Sequence, residues 1–381
     1  MKRIGKYRKL WLAVVISAAL PFGFGSCGAA SEPGVPPYSI PREEAETIIL
    51  SDDNIVFTGS GIAAAENTVT ISEGGSYILT GTLSDGKIIV DTRNDIYIIL
   101  DSVDITSARS SALDFVNTGA AVIELAGGTV NRLSDGEERV RNSDEDGDTN
   151  AVIYSNAAIT LAGSGALYLS GTSRGGIHSN RTVDIYSGTL SISVRNQGVF
   201  AQFRLTVHGG EITVEQSREG MESNGELIIN SGNIRITARD DALNAGTNLV
   251  INGGHIYAES DGDGFDSNGD MTVNGGELYI FAGSKKNSAL DISNGDKIGK
   301  FTINGGTVVA AGGDNRVDIE AQSKQGYAWI YPQGQFKNGD MASVVSENGE
   351  EIISFAFPKE FDLLFVSTDK IKPNGKYLLA D

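Results

Sequence analysis

The chain has 381 residues, with 49 acidic against 30 basic side chains, a formal charge of −19 and 40% hydrophobic residues. That surplus of negative charge excludes nucleic acid as a partner class and leaves cations, or polyanions bridged by cations. A chain this long and this apolar can bury a long core even though only 7% of it is aromatic.

The first predicted element is a leader, not part of the fold. Lys2, Arg3, Lys6, Arg8 and Lys9 form a basic n-region, Leu10 to Leu20 an apolar stretch too short for a comfortable membrane span, and Phe24-Gly25-Ser26-Cys27 follows. The segment resembles a bacterial lipoprotein signal, with Phe24 where such signals usually carry Leu, Val or Ile. The resemblance implies lipid attachment at Cys27, the single cysteine, and hence an exported, membrane-anchored protein; an ordinary cleaved secretory signal is the alternative. Without the five basic leader residues the balance is 25 basic to 49 acidic residues, a charge of −24. Residues 28–45, with Pro33, Pro36, Pro37 and Pro41, read as a flexible linker that lifts the domain off the membrane.

From residue 46 to 321 the chain repeats. Ser76-Tyr-Ile-Leu-Thr-Gly81 with Ile88-Ile-Val-Asp91 read as the entry turns, Ile96-Tyr-Ile-Ile-Leu100 as part of an earlier coil, and Ile123-Glu-Leu-Ala-Gly-Gly128 and Ile159-Thr-Leu-Ala-Gly-Ser-Gly165 as degenerate copies of one phrase. It then recurs at a 22-residue step, as Val183-Asp-Ile-Tyr-Ser-Gly188, Leu205-Thr-Val-His-Gly-Gly210, Leu227-Ile-Ile-Asn-Ser-Gly232, Leu249-Val-Ile-Asn-Gly-Gly254 and Met271-Thr-Val-Asn-Gly-Gly276. The last copy, Phe301-Thr-Ile-Asn-Gly-Gly306, comes 30 residues on, so its coil carries an eight-residue insertion. Apolar residues two apart are strand periodicity, and a repeat of this length is a solenoid. About three short strands fit each turn, so the fold class is all-β, a single-stranded parallel β-helix of nine or ten coils. Asn230, Asn252, Asn274 and Asn304 share one register and read as a structural amide ladder.

Just before each phrase lies an acidic register. Glu219, Asp241 and Asp263 align at the 22-residue step, and so do Glu222, Asn244 and Asp266; Asn287-Ser-Ala-Leu-Asp291 keeps only the second acid. Carboxylates on parallel strands about 4.7–4.9 Å apart repel unless a cation sits between them, at about 2.4 Å from each. All-oxygen donors without paired His or Cys select calcium, and these six residues are the metal candidates. The other reading is a solvated acidic face. The loop Asp144-Glu-Asp-Gly-Asp-Thr-Asn150 lacks the glycine and glutamate positions of an EF-hand and reads as a surface insertion. His178, His208 and His255 form no metal pair and read as surface substitutions. Tyr257 and Tyr279 share an outward register and form a two-residue platform on which sugar rings could pack, or an ordinary cross-strand stack.

Residues 322–381 lose the repeat. Tyr327-Ala-Trp-Ile-Tyr331, Ile352-Ile-Ser-Phe-Ala-Phe357 and Asp362-Leu-Leu-Phe-Val366 read as longer strands of a C-terminal cap that covers the last coil.

These motifs together, with Glu219-Gly-Met, Asp263-Gly-Phe, Gly75-Ser-Tyr-Ile-Leu-Thr-Gly81 and Gly375-Lys-Tyr-Leu-Leu379, resemble the calcium-associated β-helical carbohydrate-binding family of bacterial exported proteins, whose fold is similar to that of pectate lyases. The resemblance implies a monomeric, non-catalytic module at the cell surface that holds plant-type or acidic polysaccharide, of the cellulose or polygalacturonate class, with calcium. It carries the family's acid onto Glu219, Asp241 and Asp263 and departs at Gly175, Gln197 and Ser288. Two alternatives stay open. One is a polysaccharide lyase using Lys285, Lys286, Arg218 or Arg239 near the acids; the other is a structural or adhesive stalk.

Overall fold

The computed structural model describes residues 44–380 apart from 137–150, 173–174, 284–286, 295–296, 314–316 and 333–338. The leader, Cys27 and most of the linker lie outside the described residues, as do Lys285, Lys286 and the 144–150 loop. Among the described residues every regular element of more than one residue is a β-strand, and most strands wind into a parallel β-helix.

A typical coil has three strands, for example Met221–Ser223, Glu226–Ile229 and Asn233–Ala238, which we call the first, second and third faces. Each pairs in parallel register with the strand one repeat later: Met221 with Leu243, Leu227 with Leu249 and Ile234 with Ile256. The 22-residue step thus becomes a column in space. Leu205, Leu227, Leu249, Met271 and Phe301 form one inward column and Val207, Ile229, Ile251, Val273 and Ile303 the next, all fully or almost fully buried. Each such side chain contributes about 1.5–3 kcal/mol against leaving it in water, an upper estimate because unfolded chains already bury some surface.

The corner between the second and third faces explains the repeated glycine. Gly254 has φ of +95°, and a Cβ there would lie 2.8 Å from the carbonyl oxygen of Gly232 one coil earlier. A left-handed backbone in van der Waals contact with its neighbour admits no side chain. Beside this corner the asparagines form the expected ladder: Asn252 donates to Asn230 at 2.8 Å, Asn274 to Asn252 at 2.7 Å and Asn304 to Asn274 at 2.8 Å.

Antiparallel pairing occurs at both ends and covers part of the strand edges that would otherwise recruit other chains. At the start, Glu46–Leu50 pairs with Val56–Phe57 and Ile62–Ala65 with Thr68–Ile71. At the other end, Thr307–Gly312 takes Leu363–Ser367 as an antiparallel neighbour, which in turn pairs with Tyr327–Ile330. A three-stranded sheet of Met341–Ser346, Glu351–Ala356 and Tyr377–Ala380 then packs Phe355 and Phe357 into a second apolar cluster with Phe281, Val309 and Ala311. Two of these strands, Met341–Ser346 and Tyr377–Ala380, are additions to the elements expected from sequence. The inserted residues of the long coil include a small hairpin, Ser293–Asn294 with Lys297–Ile298.

Candidate functional site at the acidic corner

The turn from the third face back to the first carries the acids. Backbone bonds from Gly176 to Gln197, Gly198 to Glu219, Gly220 to Asp241, Ala242 to Asp263 and Gly264 to Ser288 place residues 197, 219, 241, 263 and 288 in one stack. The structure therefore brings Glu219, Asp241 and Asp263 together, bounded by Gln197 and Ser288. Glu222, Asn244 and Asp266 form the adjacent outward row of the first face, and Asp291 extends it.

The first row has a structural task. The Asp241 N–H donates to Glu219 Oε2 at 3.1 Å, the Asp263 N–H to Asp241 Oδ1 at 2.7 Å and the Ser288 N–H to Asp263 Oδ1 at 2.5 Å. Each acid clamps the next coil, yet an ionised carboxylate offers about four acceptor sites, so capacity remains. Asp241 Oδ2 also accepts from Asn244 at 3.2 Å.

The two ends of the cluster differ in charge compensation. Carboxyl oxygens of Glu219, Asp240 and Asp241 approach within 4.8 Å of one another. The Arg218 guanidinium sits at that end, 2.8 Å from Glu219, 3.4 Å from Asp240 and 3.9 Å from Glu222, and also donates to Asn196 at 3.1 Å. At the other end, no arginine or lysine among the described residues forms an ion pair with Asp241, Asp263, Asp266 or Asp291. Burial, followed by the charges of Asp241 and Asp291, pushes Asp266 up to about 7. Burial likewise pushes Asp263 up to about 6, against the lowering effect of the Ser288 N–H. Asp241 and Glu219 are raised as well, burial again the leading cause. These acids hold their charge only at a cost that a bound cation would remove.

The donor set fits a hard divalent cation. It is all oxygen, it is crowded, and Glu222 Oε2 is buried with no hydrogen-bond partner among the described residues. Asp241, Asn244, Asp263 and Asp266 form the part of the row without an arginine, with Asp291 beside them, whereas the three carboxylates that come within 4.8 Å of one another, Glu219, Asp240 and Asp241, share their end with Arg218. Asp240 and Asp291 were not among the candidates read from sequence. Asp291 was visible as the lone second acid of the long coil, whereas Asp240 has no periodic counterpart.

Tyr257 and Tyr279 are neighbours in register, as expected, but they do not form an open platform. Both rings are half-buried against the cluster built by the C-terminal sheet, and the Arg235 guanidinium lies 4.2 Å from the centre of the Tyr257 ring. Their hydroxyls donate to Glu259 at 2.7 Å and Glu277 at 3.0 Å. The histidines also depart from expectation. His178 is stacked between Tyr154 and Phe200, with centroids 5.2 and 4.5 Å away, and His208 lies on Tyr186 at 4.1 Å and 9°. Only His255 is exposed, paired with Glu277 at 2.9 Å. Tyr154, His178 and Phe200 occupy the same outward row as Glu222 and Asp266, one to three coils before Glu222.

The fold is a parallel β-helix of the pectate-lyase-like kind, and one of its corners carries a row of stacked acids. The chain belongs to the family of carbohydrate-binding domain-containing proteins, whose profile matches residues 65–323. A carbohydrate-binding domain-containing protein of Acetivibrio thermocellus is 30% identical over 189 residues, 49% of this chain and 65% of the relative, a little under two thirds of the relative's length. Among solved structures the chain is similar to the polysaccharide lyase-like protein from C. thermocellum, determined as a gadolinium derivative. That likeness has 26% identity and a TM-score of 0.52 and covers 64% of this chain and 93% of the other.

Proposed function

We propose that this protein is a non-catalytic carbohydrate-binding lipoprotein of the bacterial cell surface, anchored through Cys27, that holds acidic polysaccharide through calcium at Asp241, Asn244, Asp263 and Asp266. The observation that carries the reading is the row of crowded, half-buried acids with no cation partner among the described residues and strongly raised proton affinity. A calcium ion there would keep coordination sites outward, open to a uronate carboxylate or a pair of hydroxyls. Tyr257 and Tyr279, wedged beside the C-terminal strands, serve sheet packing rather than sugar stacking in this reading.

Native gels cast with polygalacturonate test it. The wild-type chain is expected to be retarded with calcium and to run freely with a chelator, and Asp263→Asn with Asp266→Asn to run freely in both. Equal mobility of wild type in every gel would sink the reading.

The likeness to a polysaccharide lyase-like protein favours lyase activity as a second reading. β-Elimination needs a base beside the cation. Arg218 is tied to Glu219 and Asp240, and Arg239 donates to the carbonyl oxygens of Arg195 and Ser217. A rise in ultraviolet absorbance from unsaturated uronate ends, on mixing the protein with polygalacturonate and calcium, would establish this reading in place of the first.

A further inference from the structure

The asparagine ladder has a direction. Each carboxamide donates to the coil before it, Asn304 to Asn274, Asn274 to Asn252 and Asn252 to Asn230. The row does not stop at Asn230. At the same register of the preceding coil stands His208, whose Nδ1 lies 3.4 Å from Asn230 Nδ2 and whose Nε2 lies 3.3 Å from Asp184 Oδ1. These two contacts fix the tautomer. A carboxylate accepts and an amide nitrogen donates, so in the neutral ring Nε2 carries the proton and Nδ1 is the bare acceptor. Every donor in the row, from Asn304 to His208, thus points towards the anion Asp184.

Histidine is the side chain that changes its charge between about pH 5 and 8, and once protonated both of its ring nitrogens donate. The Nδ1–H of His208 then faces the N–H of Asn230. A half-turn of the Asn230 carboxamide restores the bond by bringing Oδ1 round to the ring. That turn aims Asn230 Nδ2 at Asn252 Nδ2, another donor, so Asn252 must turn in the same sense, and Asn274 and Asn304 after it. Turning the whole row keeps every rung, whereas turning one amide alone forfeits a rung.

The surroundings can receive the charge. The strand Thr182–Ile185 brings Asp184 to His208, and Tyr186 just beyond it lies against the imidazole with centroids 4.1 Å apart, a cation over an aromatic face once the ring is protonated. The strand Glu226–Ile229 brings Ile228, with Asn230 following, and no charge. Arg204 and Glu226 are paired in register at the far end of these strands, and Glu211 lies beyond the glycine corner, bonded to Asn233. Behind the strand is apolar core, Leu205 and Val207. The side chains of His208 and Asp184 are 22% and 21% exposed, so solvent protons reach both.

We propose that His208 is a proton-operated terminus that sets the polarity of the amide ladder, so that its protonation turns Asn230, Asn252, Asn274 and Asn304 together. The edge of the second face then exchanges outward donors for outward acceptors along the whole row, with no change of backbone. The switch depends neither on calcium at the acidic corner nor on any glycan.

Nuclear magnetic resonance of the full chain tests it, with the side-chain amides and the His208 ring followed together from about pH 8 to about pH 5. In wild type the carboxamides of Asn230, Asn252, Asn274 and Asn304 are expected to shift with one midpoint, that of His208. The nitrogen–nitrogen coupling across the Asn230–His208 bond should vanish over the same interval. His208→Asn places there the residue that the next coils carry, a rung that takes up no proton, and the step should be lost from the whole row. Movement of Asn230 alone, with Asn252, Asn274 and Asn304 unshifted, would mean a broken rung in place of a reversal and would overturn the proposal. A step that persists in His208→Asn, or a His208 ring that stays neutral throughout, would overturn it as well.

Discussion

The two decorated corners of this β-helix solve the same problem, joining one coil to the next, by different means. At the acidic corner side chains do it: the carboxylates of Glu219, Asp241 and Asp263 each accept an N–H from the following coil. At the glycine corner the backbone does it, packed so closely that Gly254 has no room for a Cβ. A side-chain clamp tolerates change, as Gln197 and Ser288 in the same stack show. A backbone contact at positive φ does not. The acidic corner is therefore the tunable one, where charge can be concentrated and traded for a ligand, and the glycine corner is the rigid one.

The sharpest way to break this contrast is at the rigid corner. Gly254→Val is expected to cost about 3 kcal/mol or more, from left-handed strain together with the clash on the Gly232 carbonyl, read by thermal or denaturant unfolding. Asp263→Asn, a near-isosteric change at the tunable corner, should leave the metal-free protein as stable as wild type or more so. A result in the opposite order would remove the distinction.

Calcium should separate the corners next. With free calcium at 100 times the dissociation constant, wild type should gain about 2.7 kcal/mol of stability, and Asp263→Asn with Asp266→Asn should gain none. Asn252→Ala in the ladder should keep the full calcium gain.

Protons report on the same acids with a smaller effect. Asp263 and Asp266 have folded values of about 6 and about 7 against an ordinary value of 3.8, so the folded state binds protons more tightly than the unfolded one. Their contribution is present in full below pH 3.8 and is lost as pH rises through about 7. In chelator, the melting temperature of Asp263→Asn with Asp266→Asn should therefore fall less between pH 4 and pH 7 than that of wild type, and calcium should flatten the wild-type slope. The smallest effect belongs to the ladder: Asn252→Ala should cost about 1 kcal/mol, one exposed rung of a hydrogen-bonded row.

Much of this is legible in the amino-acid sequence. The Leu249, Asn252 and Gly254 phrase carries the strand, the ladder and the turn in six residues, and its recurrence every 22 residues states which residues become neighbours. The stack of Glu219, Asp241 and Asp263, including its ends at Gln197 and Ser288, follows from the same step. In a solenoid the long-range contact sits at a fixed sequence offset, so periodicity translates directly into proximity.

What has no period had to await the fold. The way Arg218 leans across Glu219 and Asp240 depends on a side-chain direction that repeat counting does not contain. Lys359 bonds Asp261 at 2.8 Å across 98 residues, and the C-terminal sheet half-covers Tyr257 and Tyr279 across a similar distance. That docking joins a non-repeating segment to one chosen patch of a repeating surface, and the patch is selected by shape and apolar area rather than by register. Repetition therefore settled the helix, its amide ladder and its acidic stack from the chain alone. Tertiary packing decided which acids keep an arginine, which lie without one among the described residues and which aromatic rings remain open to solvent.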